Sequence, residues 1–215
     1  MKRYINLEES NYISNYCVIE ENSVFANGQK LFELGNTSFS EFAKAAYKNF
    51  EIDYPKFFKM DNLSKLAFLT AEIILRNTTE SEKENNIALV FANQSSSLDT
   101  DAKYQDSITD KENYFPSPAV FVYTLPNICI GEISIRHNLK SESAFFVFDA
   151  FPSEFMQNYA EMLLESGKAE KVVCGWIELY KEKYRSILYS VEKQGKSEHN
   201  KETINQIYTN SLWTL

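Results

Sequence analysis

Apolar and polar positions divide the chain into segments of two alternating kinds. Residues 1–35 mix short apolar runs, such as Tyr16-Cys17-Val18-Ile19, with polar breaks, which predicts one or two strands and a turn at Asn27-Gly28. Ser38 or Ser40 then caps a short helix running to about Phe50, with Phe39, Phe42, Ala43, Ala46 and Tyr47 on one side. A clearer helix starts at Asp61, an N-cap residue type. It carries Leu63, Leu66, Ala67, Thr70, Ile73 and Ile74 at three- and four-residue spacing and ends before Asn77. After a polar connector over Thr79 to Asn86, Ile87 to Phe91 is apolar throughout, the pattern of a strand covered on both faces.

The middle of the chain is less regular. Asn93 to Asp110 is polar and opens with Ser95-Ser96-Ser97, Pro116 and Pro118 punctuate a further loop, and Ala119 to Tyr123 is short and irregular. A helix is expected from Asn127 to about Leu139, with Ile130, Ile133 and Leu139 inward and Gly131 permitting a close approach. Ala144 to Phe148 is read as a second buried strand. Pro152-Ser153 opens a helix with a stripe of Phe155, Tyr159, Met162 and Leu163, and Ser166-Gly167 ends it. Val172 to Ile177 is a third apolar strand and Ser186 to Val191 looks strand-like. Lys193 to Asn200 is a polar loop, and Thr203 to Leu212 is left unassigned between strand and helix. Strands alternating with helices indicate an α/β domain.

Composition narrows the picture. The 215 residues suffice for one sizeable core, and a single domain over 1–215 is expected. Sixteen Phe and 13 Tyr make that core, or an interface, rich in rings, while only six glycines leave little room for a Gly-rich phosphate cradle. A formal net charge of −8 argues against nucleic acid as a partner, since phosphate binding needs clustered Lys and Arg. The one basic cluster, Lys181 to Arg185, is interrupted by Glu182 and is read as a solvated helix face. Met1 to Glu8 carries no apolar run, so no secretory signal is expected there. No stretch of about 18 apolar residues exists, so no membrane span is expected, and a reduced cytoplasmic setting is the default.

Candidate chemistry is sparse. Three cysteines, Cys17, Cys129 and Cys174, are odd in number and widely spaced, which argues against a disulfide framework or a zinc knuckle. Cys129 sits at a helix start, where a thiol pKa can fall, and Cys174 in an apolar strand. Either is a candidate nucleophile for a stand-alone acyltransferase or decarboxylase, set against the commoner role of cysteine as a buried apolar residue. His137 and His199 read as ordinary surface histidines, and Asp149 as a cap for the following helix in preference to a catalytic carboxylate. Ser95-Ser96-Ser97 lacks the G-x-S-x-G context of a nucleophilic serine, and no P-loop, dinucleotide or HExxH element occurs. No cofactor or metal is expected.

Four stretches together resemble the N-terminal half of the beta-ketoacyl synthases. Lys59-Met60-Asp61 before Leu63-Ser64-Lys65-Leu66-Ala67 resembles the family's Met-Asp helix start. Ile87 to Leu98 resembles its strand and small polar loop. Asn127 to Gly131, running on to Leu139-Lys140, is similar to its Asn-x-x-x-Gly helix and Leu-Lys-Gly corner, with Ser141 where the corner glycine usually stands. Leu164 to Glu170, with Cys174-Gly175-Trp176-Ile177-Glu178, resembles its Ser-Gly-Glu-Ala strand entry and Gly-Gly-x-Glu turn. The resemblance covers roughly residues 50–180 and implies a thiolase-like half fold, a mixed sheet with flanking helices. The family's nucleophilic Cys falls near Ala150, where no thiol is present and no acyl enzyme can form. The family's catalytic histidines and lysine belong to a second half that this chain is expected to lack.

A short, Cys-less relative of this kind resembles the chain-length-factor-like partners of the aryl polyene and flexirubin pathways. The resemblance then implies a subunit that is not an enzyme by itself. It would pair as a heterodimer with an active beta-ketoacyl-ACP synthase in fatty acid or polyketide-type biosynthesis, and meet acyl carrier protein through that complex. It implies dimerisation through Ser143 to Asp149, with Phe145, Phe146, Val147 and Phe148, and with Leu125, Asn127 and Ile128, lining the interface or the acyl tunnel.

Overall fold

The computed structural model describes residues 10–80, 82–112 and 114–209. Met1 to Glu8 and residues 210–212 of the expectations above lie outside them. One mixed sheet organises these residues. Its strands are β1 (Tyr12–Glu20), β2 (Ser23–Ala26), β3 (Gln29–Glu33), β4 (Ile87–Asn93), β5 (Ser143–Val147), β6 (Lys171–Tyr180), β7 (Lys183–Glu192) and the short β8 (Ser197–Glu198). The order across the sheet is β3-β2-β1-β7-β6-β4-β5, with β8 beside β1. Strand β4 pairs in parallel with both β5 and β6, and the other pairings are antiparallel. Residues 1–35 thus supply three strands where one or two were expected. Their tight turns place Glu21, Asn22 and Asn27 in the left-handed region, beside Gly28.

Helices cover both faces. On one side lie α1 (Phe39–Asn49), a 3₁₀ turn over Pro55–Lys59, α2 (Asn62–Leu75) and α5 (Ile128–His137), after the intervening α3 (Leu98–Thr109) and α4 (Pro118–Val122). On the other lie α6 (Ser153–Glu165) and α7 (Lys201–Tyr208). Ser38 closes α1 with a capping box: Glu41 N–H donates to its hydroxyl while the Glu41 carboxylate accepts from Ser38 N–H. Asp61 caps α2 by accepting from Ser64 N–H at 3.0 Å. The first core layer joins Phe39, Phe42, Leu66, Leu69, Cys129 and Ile133 to the sheet. The second joins Met156, Ala160, Leu163, Ile204 and Ile207 to its opposite face. Strand β4 is buried along its whole length, as its unbroken apolar run requires.

Several expectations are corrected. Ala144 to Phe148 is apolar yet forms an edge strand: β5 pairs only with β4 among the described residues, and none of its residues is fully buried. The polar stretch after Asn93 holds α3, and Pro118 opens the short α4. The buried stripe of α6 is Met156, Ala160, Leu163 and Leu164, while Phe155 and Tyr159 are half-buried and Met162 is exposed. Gly131 meets no atom within 4 Å of where a Cβ would stand, so no close approach depends on it. The Lys181–Arg185 cluster is the β6–β7 hairpin, not a helix face, and Arg185 pairs with Glu20 at 2.7 Å. Cys174 to Glu178, matched to a turn by resemblance, is the middle of β6. At the corner after α5 the left-handed residue is Asn138 (φ 49°), so Ser141 needs no glycine geometry.

Candidate functional site

The parallel strands define where a site can sit. β4 lies between β5 and β6; the connection to β5 runs over one face of the sheet through α5 and the connection from β5 to β6 over the other through α6. The C-terminal ends of parallel strands at such a switch point open into a crevice between diverging loops. Here those loops are residues 94–97, 148–152 and 181–182. They are tied to one another. Asn93, fully buried, clamps Ser96 by accepting from its N–H at 2.9 Å and donating to its carbonyl at 2.8 Å. Glu178 accepts from Gln94 N–H at 2.7 Å and Ser95 N–H at 3.2 Å. Asp99 accepts from Lys181 N–H at 2.9 Å, and Thr100 donates to Asp61 at 2.6 Å. Ser97 donates to the Thr124 carbonyl at 2.6 Å, with the Asp101 carboxylate 3.3 Å away, so its hydroxyl is committed to structure.

Ala150 is at this end, exposed in the loop between β5 and α6. A methyl group there offers no nucleophile. Asp149 beside it is exposed, and α6 has no side-chain cap, which corrects the capping role expected for Asp149.

Strand β5 presents an open edge. Leu89 N–H donates to Glu142 O and Phe148 N–H to Asn93 O, so Glu142, Ala144, Phe146 and Phe148 direct their backbone groups to β4. In a parallel pair the alternate residues, Ser143, Phe145 and Val147, direct theirs away from it. Phe145 packs onto the α5 side, and Phe146 and Phe148 onto the α6 side. There they build a ring cluster with Phe155 and Tyr159, with centroids 4.8 to 6.2 Å apart. Val147 is 54% exposed and Leu125 55%, Asn127 is exposed, and Ile128 is half-buried against the first core layer. Sequence reasoning missed the exposed Phe115 (73%) and Phe121 (57%) and the ring partners Phe155 and Tyr159. The signal was present: no charged residue occurs from Tyr114 to Gly131.

The thiols are sealed. Cys17, Cys129 and Cys174 are free and fully buried. Burial pushes all three thiol pKa values up, and the Asp61 charge adds to the rise at Cys129, outweighing the backbone N–H groups at the helix start. Neither Cys129 nor Cys174 meets the exposure and thiolate character that a nucleophile needs. Accordingly, the native chain is expected to react with fewer than one equivalent of a disulfide reagent within minutes, and with three after denaturation. Rapid native labelling of one thiol would refute the sealed arrangement.

Both histidines are buried, which corrects their assignment to the surface. His137 bridges α5 to α2: its Nε2 is 2.9 Å from Glu72 Oε2, and its Nδ1 is 3.0 Å from Thr79 Oγ1. Burial alone would raise the Glu72 carboxyl. Hydrogen bonds and charge from His137 and Arg136 outweigh it and hold the pKa below the usual value. His199 is enclosed against the Tyr189 ring, and burial lowers its pKa to about 4, despite Glu161 3.8 Å away. In the unfolded chain His199 takes up a proton near pH 6.5, but in the folded chain only near 4. Its contribution is therefore complete above pH 6.5 and is lost as pH falls toward 4, to a total of roughly 3 kcal/mol. Urea unfolding at pH 7, 6, 5 and 4 should show that loss, and His199→Gln should flatten it. An equal slope in the variant would contradict the assignment.

No protein-family model matches the sequence, and no curated protein does. Solved structures match by fold. The ishigamide ketosynthase/chain length factor is similar over 85% of this chain and 62% of that one, with TM-score 0.59 and 15% identity. A chain of ketosynthase ApeO in complex with its chain length factor ApeC, from Xenorhabdus doucetiae, is similar over 96% of this chain and 92% of that one, with TM-score 0.57 and 16% identity. A beta-ketoacyl synthase from Burkholderia phymatum STM815 gives 86% and 59%, with TM-score 0.56 and 11% identity. The chain thus has a thiolase-like half fold, a mixed sheet with flanking helices. It spans about three-fifths of the first and third of these chains and nearly all of the second.

Proposed function

We propose that this chain is a non-catalytic, chain-length-factor-like subunit. It pairs with an active beta-ketoacyl-ACP synthase and shapes the cavity that holds the growing acyl chain in fatty acid or polyketide-type, specifically aryl polyene-type, biosynthesis. The observation that carries this reading is the β5 edge beside Ala150, open among the described residues: backbone groups at Ser143, Phe145 and Val147 with no strand partner there, flanked by half-buried rings, next to a loop without a thiol. An edge of this kind is a template for a strand of another chain. Pairing two such edges about a two-fold or pseudo-two-fold axis also buries Val147. Acyl carrier protein would be met through the complex. The alternative of a stand-alone acyltransferase or decarboxylase has no accessible thiol to work with.

The proposal is tested by condensation assays with an acyl-primed carrier and malonyl-carrier. The chain alone should yield no elongated product, a cognate synthase alone little, and the two together full elongation. Elongation by the isolated chain would overturn the reading.

A further inference from the structure

A second polar cleft, which no residue of the β5 edge lines, remains without a role in the pairing. It has a volume of about 330 Å³ and is bounded by Gln157, Glu161 and Glu165 of α6, by Glu198, His199 and Asn200 at the β8–α7 junction, and by Ser10 and Asn11 ahead of β1. The four-residue spacing on α6 puts its three polar side chains on one face. Among the described residues no Lys or Arg lines the cleft, whereas three carboxylates do.

Two of its walls hold buried polar atoms with no partner. The His199 side chain is completely enclosed, and neither ring nitrogen makes a hydrogen bond among the described residues. Asn11 Oδ1, also buried, is in the same state. His199 Nδ1 stands 3.8 Å from Glu161 Oε1, beyond hydrogen-bond range. Native proteins seldom leave such atoms unmet, and a water or a bound donor admitted between the walls would meet them. Glu161 is already steadied, since Gln157 donates to it at 3.0 Å. The groups on offer are mostly acceptors: carboxylates, an amide oxygen and one nitrogen of a neutral imidazole. No three acidic, histidine or cysteine groups among the described residues converge on a metal position. The acceptors are instead spread around the walls, which suits a cation carrying several N–H donors.

We propose that this cleft binds an aliphatic ammonium group, seated between Glu161, His199 and Asn11. The same chemistry is presented by a free diamine and by a lysine side chain of another protein. The test is isothermal titration of the 215-residue chain in low salt with putrescine and, separately, with N-acetyl-lysine methylamide, against potassium chloride and zinc chloride. One saturable site for either amine is expected, and the tighter of the two identifies the source. Glu161→Gln, a partly exposed change on α6, should weaken it about tenfold, the scale of one charge-assisted hydrogen bond. His199→Gln should weaken it as well, and a thermal shift with putrescine should be present in the parent chain and lost in both variants. Heats that do not saturate, or that are unaltered by Glu161→Gln, would show only loose attraction to an acidic protein and overturn the proposal. So would saturable zinc binding that the amines fail to match.

Discussion

Gly175→Ala is expected to abolish folding. Gly175 lies mid-strand in β6, in register with Phe91 of β4 and Leu188 of β7, at a φ of +156° that side chains rarely adopt. A Cβ there would stand 1.9 Å from the Ile187 carbonyl oxygen and 2.9 Å from Leu188 Cα. Both neighbours are backbone in the most densely paired part of the sheet, so neither can give way without opening β7. The cost is expected at about 4 kcal/mol or more, enough to unfold a domain of ordinary stability. Gly131→Ala is the matched control. It has open space and helical geometry, and should be neutral or stabilise by up to ~1 kcal/mol. Expression with circular dichroism and urea melts decides the pair: a native-like Gly175→Ala would contradict the tight β6–β7 approach.

Val147→Pro should leave the chain folded and remove its partner. Val147 directs its backbone N–H away from β4, so a proline ring there costs no ladder bond within this chain. Its ring would stand where a pairing strand must donate and accept, and the loss should be about a hundredfold or more in affinity, from a penalty of ~3 kcal/mol. Ala144→Pro makes the contrast, because Ala144 directs its backbone to β4, and there the chain itself should be destabilised. Pull-down of a cognate synthase with melting curves for both variants reads out the difference. Undiminished capture by Val147→Pro would remove β5 from the interface.

The two variants also mark the boundary of what periodicity reveals. Helix starts were legible because their chemistry is local: Ser38 with Glu41, and Asp61 before an apolar stripe, each satisfy backbone donors within one turn. Strand β4 was legible because burial on both faces leaves no polar position from Ile87 to Ala92. Strand β5 has the same apolar look for a different reason. Its rings are matched to α6 and to an open edge, and a run of apolar residues does not say how many neighbours it has. Helix α3 escaped because it is held by polar ties, Asp99 to Lys181 and Thr100 to Asp61, instead of an apolar stripe. The buried face of α6 was misphased because Phe155 and Tyr159 serve the ring cluster while the smaller Ala160 faces the core. The histidines were misjudged because their burial comes from distant segments: His137 from α2, and His199 from Tyr189 on β7. Of the candidate site, Phe145, Phe146, Val147 and Phe148 were named from a resemblance. The geometry assigns them to β5 and the residue that follows it, but only packing revealed Phe155 and Tyr159 around them.

Native mass spectrometry of this chain co-expressed with its cognate synthase tests the central claim most directly. A one-to-one species that survives size exclusion is expected, with protection from hydrogen exchange gained along Ser143 to Val147. Two separate, unassociated masses, with β5 exchanging as freely as in the isolated chain, would contradict it.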